Sequence, residues 1–115
     1  MTDYADLTDE QVNAQIAERL FGYEKYSEVF GNYPYTQTYD ASMGLVVPAM
    51  RERGYEFILV DDNGKTEIAF EKDPQITAPV VTSFNRTPRA ICEAALLALD
   101  MEGDHWIRRN RDALP

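Results

Sequence analysis

The stretch Tyr55 to Lys72, which reads YEFILVDDNGKTEIAFEK, decides the fold of this chain. Its centre, Asp61-Asp62-Asn63-Gly64, predicts a tight turn, because Asn and Gly both tolerate the positive φ that a hairpin turn requires. The turn separates two predicted strands, Tyr55 to Val60 and Lys65 to Lys72. Apolar and acidic residues alternate in the second strand, which indicates one buried and one solvated face.

A third strand and a first helix extend this hairpin into a domain. Pro79 to Phe84 is rich in β-branched residues and is predicted to be a strand. The helix is predicted from Asp9 to Phe21, because Thr8 and Gln11 have the spacing of a capping box. Gly22 follows as the stop signal that commonly ends a helix.

A second helix is predicted from Asp40 to Arg53, with Asp40 as its N-cap and Gly54 as its stop. Its apolar face consists of Met43, Val46, Val47 and Met50. Pro48 lies inside this helix and removes the hydrogen bond to the Gly44 carbonyl. We therefore expect a kink near Gly44.

The last helix has the clearest start, with Thr87 as its N-cap and Pro88 at the first helical position. We expect it to end near Met101, with Gly103 as its stop. The predicted fold class is therefore α+β, with the element order α-α-β-β-β-α. Its helices pack on a small antiparallel sheet of about three strands, as an α-β-α sandwich. Residues 1–101 form the predicted domain, and residues 102–115 form a C-terminal tail.

Length, charge and cysteine content restrict the function classes. The chain has 115 residues and a formal net charge of −9, so we expect no direct binding to DNA or RNA. The acidity is explained either by solubility or by an acidic face that meets a basic partner. We expect no membrane association and a cytoplasmic location, because no long apolar run or basic signal segment is present and Cys92 is the only cysteine.

The residues that catalysis requires are scarce in this sequence. One histidine and one cysteine nearly exclude a metal site with nitrogen and sulfur ligands, and His105, the only imidazole for a nucleophilic triad, lies in the terminal tail. No phosphate loop or dinucleotide-binding fingerprint is present. We therefore expect a binding protein without a cofactor rather than an enzyme.

The strongest candidate binding site lies where the third strand meets the last helix. This segment reads Phe84-Asn85-Arg86-Thr87-Pro88-Arg89. Free backbone N–H groups at a helix start attract anions, arginine forks suit phosphate, and Phe84 could stack on a base. Two arginines at a helix start oppose the helix dipole, which indicates that they pair either with nearby carboxylates or with a ligand.

A second candidate site is the tyrosine-rich stretch between Phe21 and Tyr39. Tyr35 and Tyr39 are its candidate ligand contacts, because a tyrosine ring joins an apolar body to a polar tip. The alternative is that these rings cover the core beside the first helix.

Three blocks of the sequence resemble the phage ABA sandwich domain and related phage and prophage proteins. The blocks are Asp3 to Asn13 with the helix that follows, Met43 to Phe57, and Thr87 to Leu97. The resemblance implies layers of helix, antiparallel sheet and helix, and it covers roughly Asp3 to Asp100. Proteins of this kind often have a tryptophan at or next to the position of Met43.

The resemblance also suggests a function, as an accessory phage protein that counters host defence. Some such proteins are non-enzymatic sponges that hold cyclic nucleotide signals in oligomer interfaces. We therefore expect a homo-oligomer that sequesters a small anionic nucleotide in the host cytoplasm. The alternative is an acidic, anti-CRISPR-like inhibitor that binds a host defence protein.

Overall fold

The computed structural model describes residues 4–22, 33–72, 80–83 and 86–113, and for residue 62 and residues 102–113 it describes the backbone alone. The described helices are a 3-10 turn Tyr4–Asp6, α1 Asp9–Arg19, α2 Tyr39–Ala41, a π-helical segment Ser42–Val46, α3 Val47–Glu52 and α4 Thr87–Ala113. The strands are β1 Glu56–Asp62, β2 Lys65–Glu71 and β3 Val81–Ser83. The predicted α+β class, element order and three-stranded antiparallel sheet are confirmed.

The hairpin forms as the sequence predicts, although its turn is shorter. Asn63 and Gly64 take φ values of 51° and 81°, and β1 extends through Asp62. The two central residues with positive φ define a type I′ turn, whose twist matches that of the flanking strands. β2 lies between β1 and β3, and Phe57 faces Phe70 across the first pair of strands.

α1 begins at the predicted capping box. The Thr8 hydroxyl accepts the Gln11 backbone N–H, while the Gln11 side chain accepts the Thr8 N–H. α1 itself ends at Arg19, and Gly22 follows with a φ of 74°. The Arg53 guanidinium donates to the Arg19 carbonyl at 3.1 Å, so the residue that follows α3 supports the end of α1.

The second helical region, which consists of α2, the π-helical segment and α3, differs from its prediction in its start and in its middle. Thr38, not Asp40, is the N-cap, since its hydroxyl accepts the Ala41 N–H. A π-helical segment, Ser42–Val46, spans the position of the expected kink, and its wider turn shifts the side chains around the helix axis. As a result Ser42 is fully buried, while Met43, predicted on the apolar face, is 41 % exposed.

α4 packs on the sheet and organises the core. It contacts β2 and β3 of the sheet, and it also contacts α1, α2 and the π-helical segment. The fully buried side chains Ile68 and Phe70 of β2 meet Ile91 and Leu96 of α4 in a single hydrophobic cluster. The start of α4 is therefore fixed against both the sheet and α1.

The ends of α4 differ from the prediction by one residue at the start and by a longer extension at the end. Thr87 is the first helical residue, not the N-cap, and α4 continues through Gly103 to Ala113 instead of stopping near Met101. The predicted boundary between domain and tail thus falls inside a continuous helix. No helix in the described part of the chain has the length and apolar character needed to cross a membrane.

A polar network ties the start of the chain to the middle of α4. The hydroxyl of buried Tyr4 donates to Asp100 at 2.5 Å and accepts from Arg19 at 2.8 Å. Arg19 also donates to Asp100 at 2.7 Å, which closes a triangle of three side chains. Burial and the hydrogen bond to Asp100 raise the pKa of Tyr4, so its hydroxyl stays protonated at neutral pH.

Candidate functional site at the start of the last helix

The junction between β3 and α4 is held by Ser83. Its hydroxyl accepts the Arg86 backbone N–H at 2.9 Å, and the Arg86 carbonyl then accepts the Ala90 N–H at 3.0 Å. The first turn of α4 is therefore anchored to the last residue of β3. This anchor places Arg86 just before the helix and Arg89 within its first turn.

Arg89 is buried and is held by groups of the protein itself. Its guanidinium donates to the carbonyls of Tyr4 and Leu7, each at 2.7 Å. It also donates to Asp9 at 2.5 Å and to Glu93 at 3.3 Å. These contacts satisfy most of its N–H groups, so Arg89 joins the start of the chain to α4.

Asp9 connects the two arginines. One carboxylate oxygen accepts from Arg86 and the other from Arg89, both at 2.5 Å. Partial burial on its own would raise the pKa of Asp9, but the hydrogen bonds from Arg89 and Arg86 outweigh it and hold the pKa below its ordinary value. Asp9 is also the first residue of α1, where the helix dipole favours a negative charge.

A cavity of about 440 Å³ lies beside this cluster. Its lining combines residues from the start of the chain, β3 and α4, namely Ala5, Leu7, Thr82, Ser83, Arg86, Arg89, Ala90 and Glu93. A volume of this size falls within the roughly 300–1,000 Å³ typical of small-molecule pockets. The cavity is therefore large enough for a small molecule.

The cavity offers groups of both charges. The Arg86 side chain is 59 % exposed, and its ion pair with Asp9 is the one it makes within the described residues. Glu93 pairs with Arg89 through one carboxylate oxygen, and its side chain is 14 % exposed. Arg86 can thus contact an anion, while Glu93 can accept a hydrogen bond from a donor group.

Three further predicted site residues, Tyr35, Tyr39 and Thr87, are not among the described residues that line this cavity. Tyr35 is buried in the core, where its ring stacks on Phe21 with a centroid separation of 5.4 Å. Tyr39 is 59 % exposed at the start of α2. Thr87 is half-buried as the first residue of α4, and Phe84 and Asn85 lie outside the described residues.

Sequence reasoning missed Asp9, Glu93 and Ser83 as members of this cluster. The spacing of Arg89 and Glu93 is that of an i,i+4 ion pair on one helix face, so this contact had a signal in the sequence. The contact between Asp9 and Arg86 had no such signal in the sequence, because the two residues lie 77 positions apart along the chain.

Two findings among the described residues concern metal ligands and the single cysteine thiol. No group of His, Cys, Asp and Glu side chains in this part of the chain could hold a metal ion. Cys92 is fully buried, and desolvation strongly raises the pKa of its thiol. The thiol is therefore protonated at neutral pH and is a poor nucleophile.

Comparison with protein-family models, curated proteins and solved structures finds no match for this chain.

Proposed function

We propose that this protein binds a small anionic nucleotide without chemically changing it, and that the cavity at the start of α4 is the binding site. The cavity is lined by an exposed arginine, a carboxylate and a hydroxyl, from Arg86, Glu93 and Ser83. The biological role in the proposal, sequestration of a host immune signal during phage infection, is supported by the sequence resemblance alone.

The observation that carries the proposal is the contrast between the two arginines at this cavity. The Arg89 side chain is 8 % exposed and is committed to four protein groups. The Arg86 side chain is 59 % exposed and holds only Asp9 within the described residues. A planar guanidinium with open N–H groups can bind two phosphate oxygens at once, so Arg86 is the first contact for a phosphate.

Asp9 sets the condition under which a phosphate can bind. It already neutralises part of the charge of Arg86 and Arg89, so an anionic ligand competes with an internal carboxylate. Exposed ion pairs contribute only about 0–1 kcal/mol, and the Asp9–Arg86 pair can be exchanged at small cost. The buried pair with Arg89 keeps Asp9 near its position during this exchange.

Isothermal titration calorimetry with a panel of mononucleotides, cyclic nucleotides and cyclic dinucleotides tests the proposal. We expect at least one member to bind, and Arg86→Ala to weaken its affinity by about tenfold or more, since a hydrogen bond to a charged group contributes roughly 1.5–3 kcal/mol. Arg51→Ala is the matched control, because Arg51 is an exposed arginine in α3.

If no nucleotide of the panel binds, the proposal of nucleotide binding is wrong. If Arg86→Ala and Arg51→Ala bind the nucleotide with equal affinity, Arg86 is not part of the binding site. Chromatography of each nucleotide after incubation with the protein tests whether the nucleotide is left unchanged. Conversion of any nucleotide would show that the protein is an enzyme. Mass spectrometry of small molecules released from protein purified from infected cells then identifies the ligand.

A second candidate function, inhibition of a host defence protein by direct binding, is favoured by exposed side chains of the second helical region. Tyr39 is 59 % exposed, and Met43 and Leu45 are each 41 % exposed. Tyrosine and methionine are enriched at protein interfaces, and Asp40 adds an exposed acid beside them. The net charge of −9 would attract a basic partner to this surface.

Affinity purification from host lysate separates this candidate from nucleotide binding. We expect a stoichiometric protein partner that is lost with Tyr39→Ala or Asp40→Lys and retained with Arg86→Ala. Retention of the partner by all three variants would exclude the second helical region as the contact surface.

A further inference from the structure

The outer edge of β1 is an open side of the sheet in the described part of the chain. β1 is seven residues long and pairs with β2, which lies between β1 and β3. The described residues place no strand on the other side of β1. An edge of this kind presents a row of unpaired backbone N–H and C=O groups, to which a further strand can add.

Side-chain exposure shows that the far half of β1 is uncovered on both faces. Leu59 and Val60 point to opposite faces of the sheet, because successive side chains of a strand alternate. Leu59 is 42 % exposed and Val60 is 51 % exposed. Ile68, which faces Leu59 from β2, is completely buried. Burial therefore falls steeply from the middle of the sheet to this edge.

The charges along this edge oppose its pairing with a second copy of the same strand. Glu56 and Asp62 are the acids at the two ends of β1. An antiparallel pairing of two β1 strands centred on Leu59 would place Glu56 of each copy opposite Asp62 of the other, because opposed residues of such a pair share one face of the sheet. Like charges directly opposite each other destabilise a pair of strands.

We propose that the outer edge of β1 is a docking site for an extended, cationic segment of a partner protein. The segment adds to the sheet as a fourth strand, so its backbone pairs with that of β1. Lysine or arginine side chains lie opposite Glu56 and Asp62, and apolar side chains between them cover Leu59 and Val60. The acids thus disfavour self-association and select a basic strand.

Fluorescence anisotropy with two labelled peptides tests this docking site. One peptide has the β1 sequence EFILVDD, and the other replaces the residues that correspond to Glu56 and Asp62 with lysine. At low salt we expect the lysine peptide to bind the protein at least about tenfold more tightly than the native-sequence peptide, and its affinity to fall as salt screens the charges. NMR shifts on binding should concentrate at residues 56–62.

The double variant Glu56→Gln, Asp62→Asn is the matched control. Glu56 is exposed, Asp62 is the last residue of β1, and both substitutions keep the size of the side chain, so we expect the variant to fold and to lose the preference for the lysine peptide. Equal affinity for the two peptides, absence of binding by both, or NMR shifts confined to residues outside β1 would each overturn the proposal. Its outcome does not depend on nucleotide binding, because the cavity at α4 is lined by other residues.

Discussion

Arg86 and Arg89 carry the same charge and lie three positions apart, but their environments assign them different tasks. The Arg86 side chain is 59 % exposed, whereas that of Arg89 is 8 % exposed. An exposed ion pair contributes little to stability, while removal of one member of a buried pair leaves an unpaired charge behind. Stability should therefore depend on Arg89 and ligand binding on Arg86.

Arg89→Met tests this division at a similar side-chain volume. The substitution leaves Glu93 and the carbonyls of Tyr4 and Leu7 without their donor, so we expect a loss of about 3–5 kcal/mol in the free energy of unfolding. Urea denaturation followed by circular dichroism measures this loss. Arg86→Met is the comparison, with an expected loss below about 1 kcal/mol. Equal losses in the two variants would refute the assignment.

The depressed pKa of Asp9 makes one part of the stability depend on pH. A carboxyl whose pKa is lower in the folded protein stabilises it above the unfolded pKa, and this contribution disappears as the pH falls through the folded value. Asp9→Asn should therefore be less stable than the native protein at pH 6, and the gap should narrow below about pH 4. Denaturation midpoints of both proteins across this range give the comparison. A difference in stability between the two proteins that stays constant across this pH range would contradict the ion pairs of Asp9 with Arg86 and Arg89.

Sequence reasoning found the arginines but could not find their partners. The cluster of Arg86 and Arg89 was visible because two cations at a helix start conflict with the helix dipole. The alternatives of carboxylate or ligand stayed open, since the deciding residue, Asp9, is brought near only by the packing of α1 against α4. Long-range contacts of this kind leave no periodic signal along the chain.

At the scale of the element, local chemistry predicted the start of α1 and the hairpin turn well, and the starts of the other helices and the length of α4 less well. The Thr8–Gln11 capping box and the Asn63-Gly64 turn depend on neighbouring residues, and both are present in the structure. The continuation of α4 through Gly103 was not predicted. One glycine inside a helix costs only about 1 kcal/mol, which the rest of a long helix can offset.

The π-helical segment leads to a prediction about two methionines that the sequence places on one apolar face. Met50 is fully buried, whereas Met43 is 41 % exposed. Met50→Ala should lower the free energy of unfolding by about 2–5 kcal/mol, because it leaves a cavity in the core. Met43→Ala should lower it by no more than about 0.5 kcal/mol. Thermal denaturation of both variants provides the measurement, and similar losses would indicate a regular α-helix through Ser42–Val46.

Two glycines of the same region should respond to alanine in opposite directions. Gly54 has a φ of 95° and ends α3, so Gly54→Ala should destabilise the protein by about 1–2 kcal/mol. Gly44 lies in a helical segment where an added Cβ would meet open space, and Gly44→Ala should stabilise the protein by roughly 0.5–1 kcal/mol. Chemical denaturation of the two variants checks the signs. Stabilisation by Gly54→Ala would contradict the left-handed conformation.

At the scale of the whole molecule, one hydrophobic cluster includes residues from the start of the chain, every described region of helix and the central strand. Its members range from Tyr4 to Ala98, and the sheet and α1 both contact α4. The sequence predicted the class and the order of elements because each pattern is local. It could not show that α4 would be the common contact, since several helices have similar apolar faces.

The triangle of Tyr4, Arg19 and Asp100 provides a test at this scale. Tyr4→Phe keeps the buried ring but removes the hydrogen bonds to Asp100 and Arg19, so we expect a loss of about 1–2 kcal/mol in the free energy of unfolding. Tyr39→Phe is the control, because Tyr39 is 59 % exposed. Both variants are compared by urea denaturation, and equal stability of the two would show that the triangle contributes nothing.

The Asp9 bridge also constrains the order in which the protein can assemble on the ribosome. α1 is synthesised before α4, and Arg86 follows Asp9 by 77 residues. At about 5–20 residues per second, roughly 4–15 s pass before the arginines that neutralise Asp9 exist. During that interval the apolar face of α1 has no α4 to cover it. The first helix of the chain is therefore among the last elements to reach its final environment.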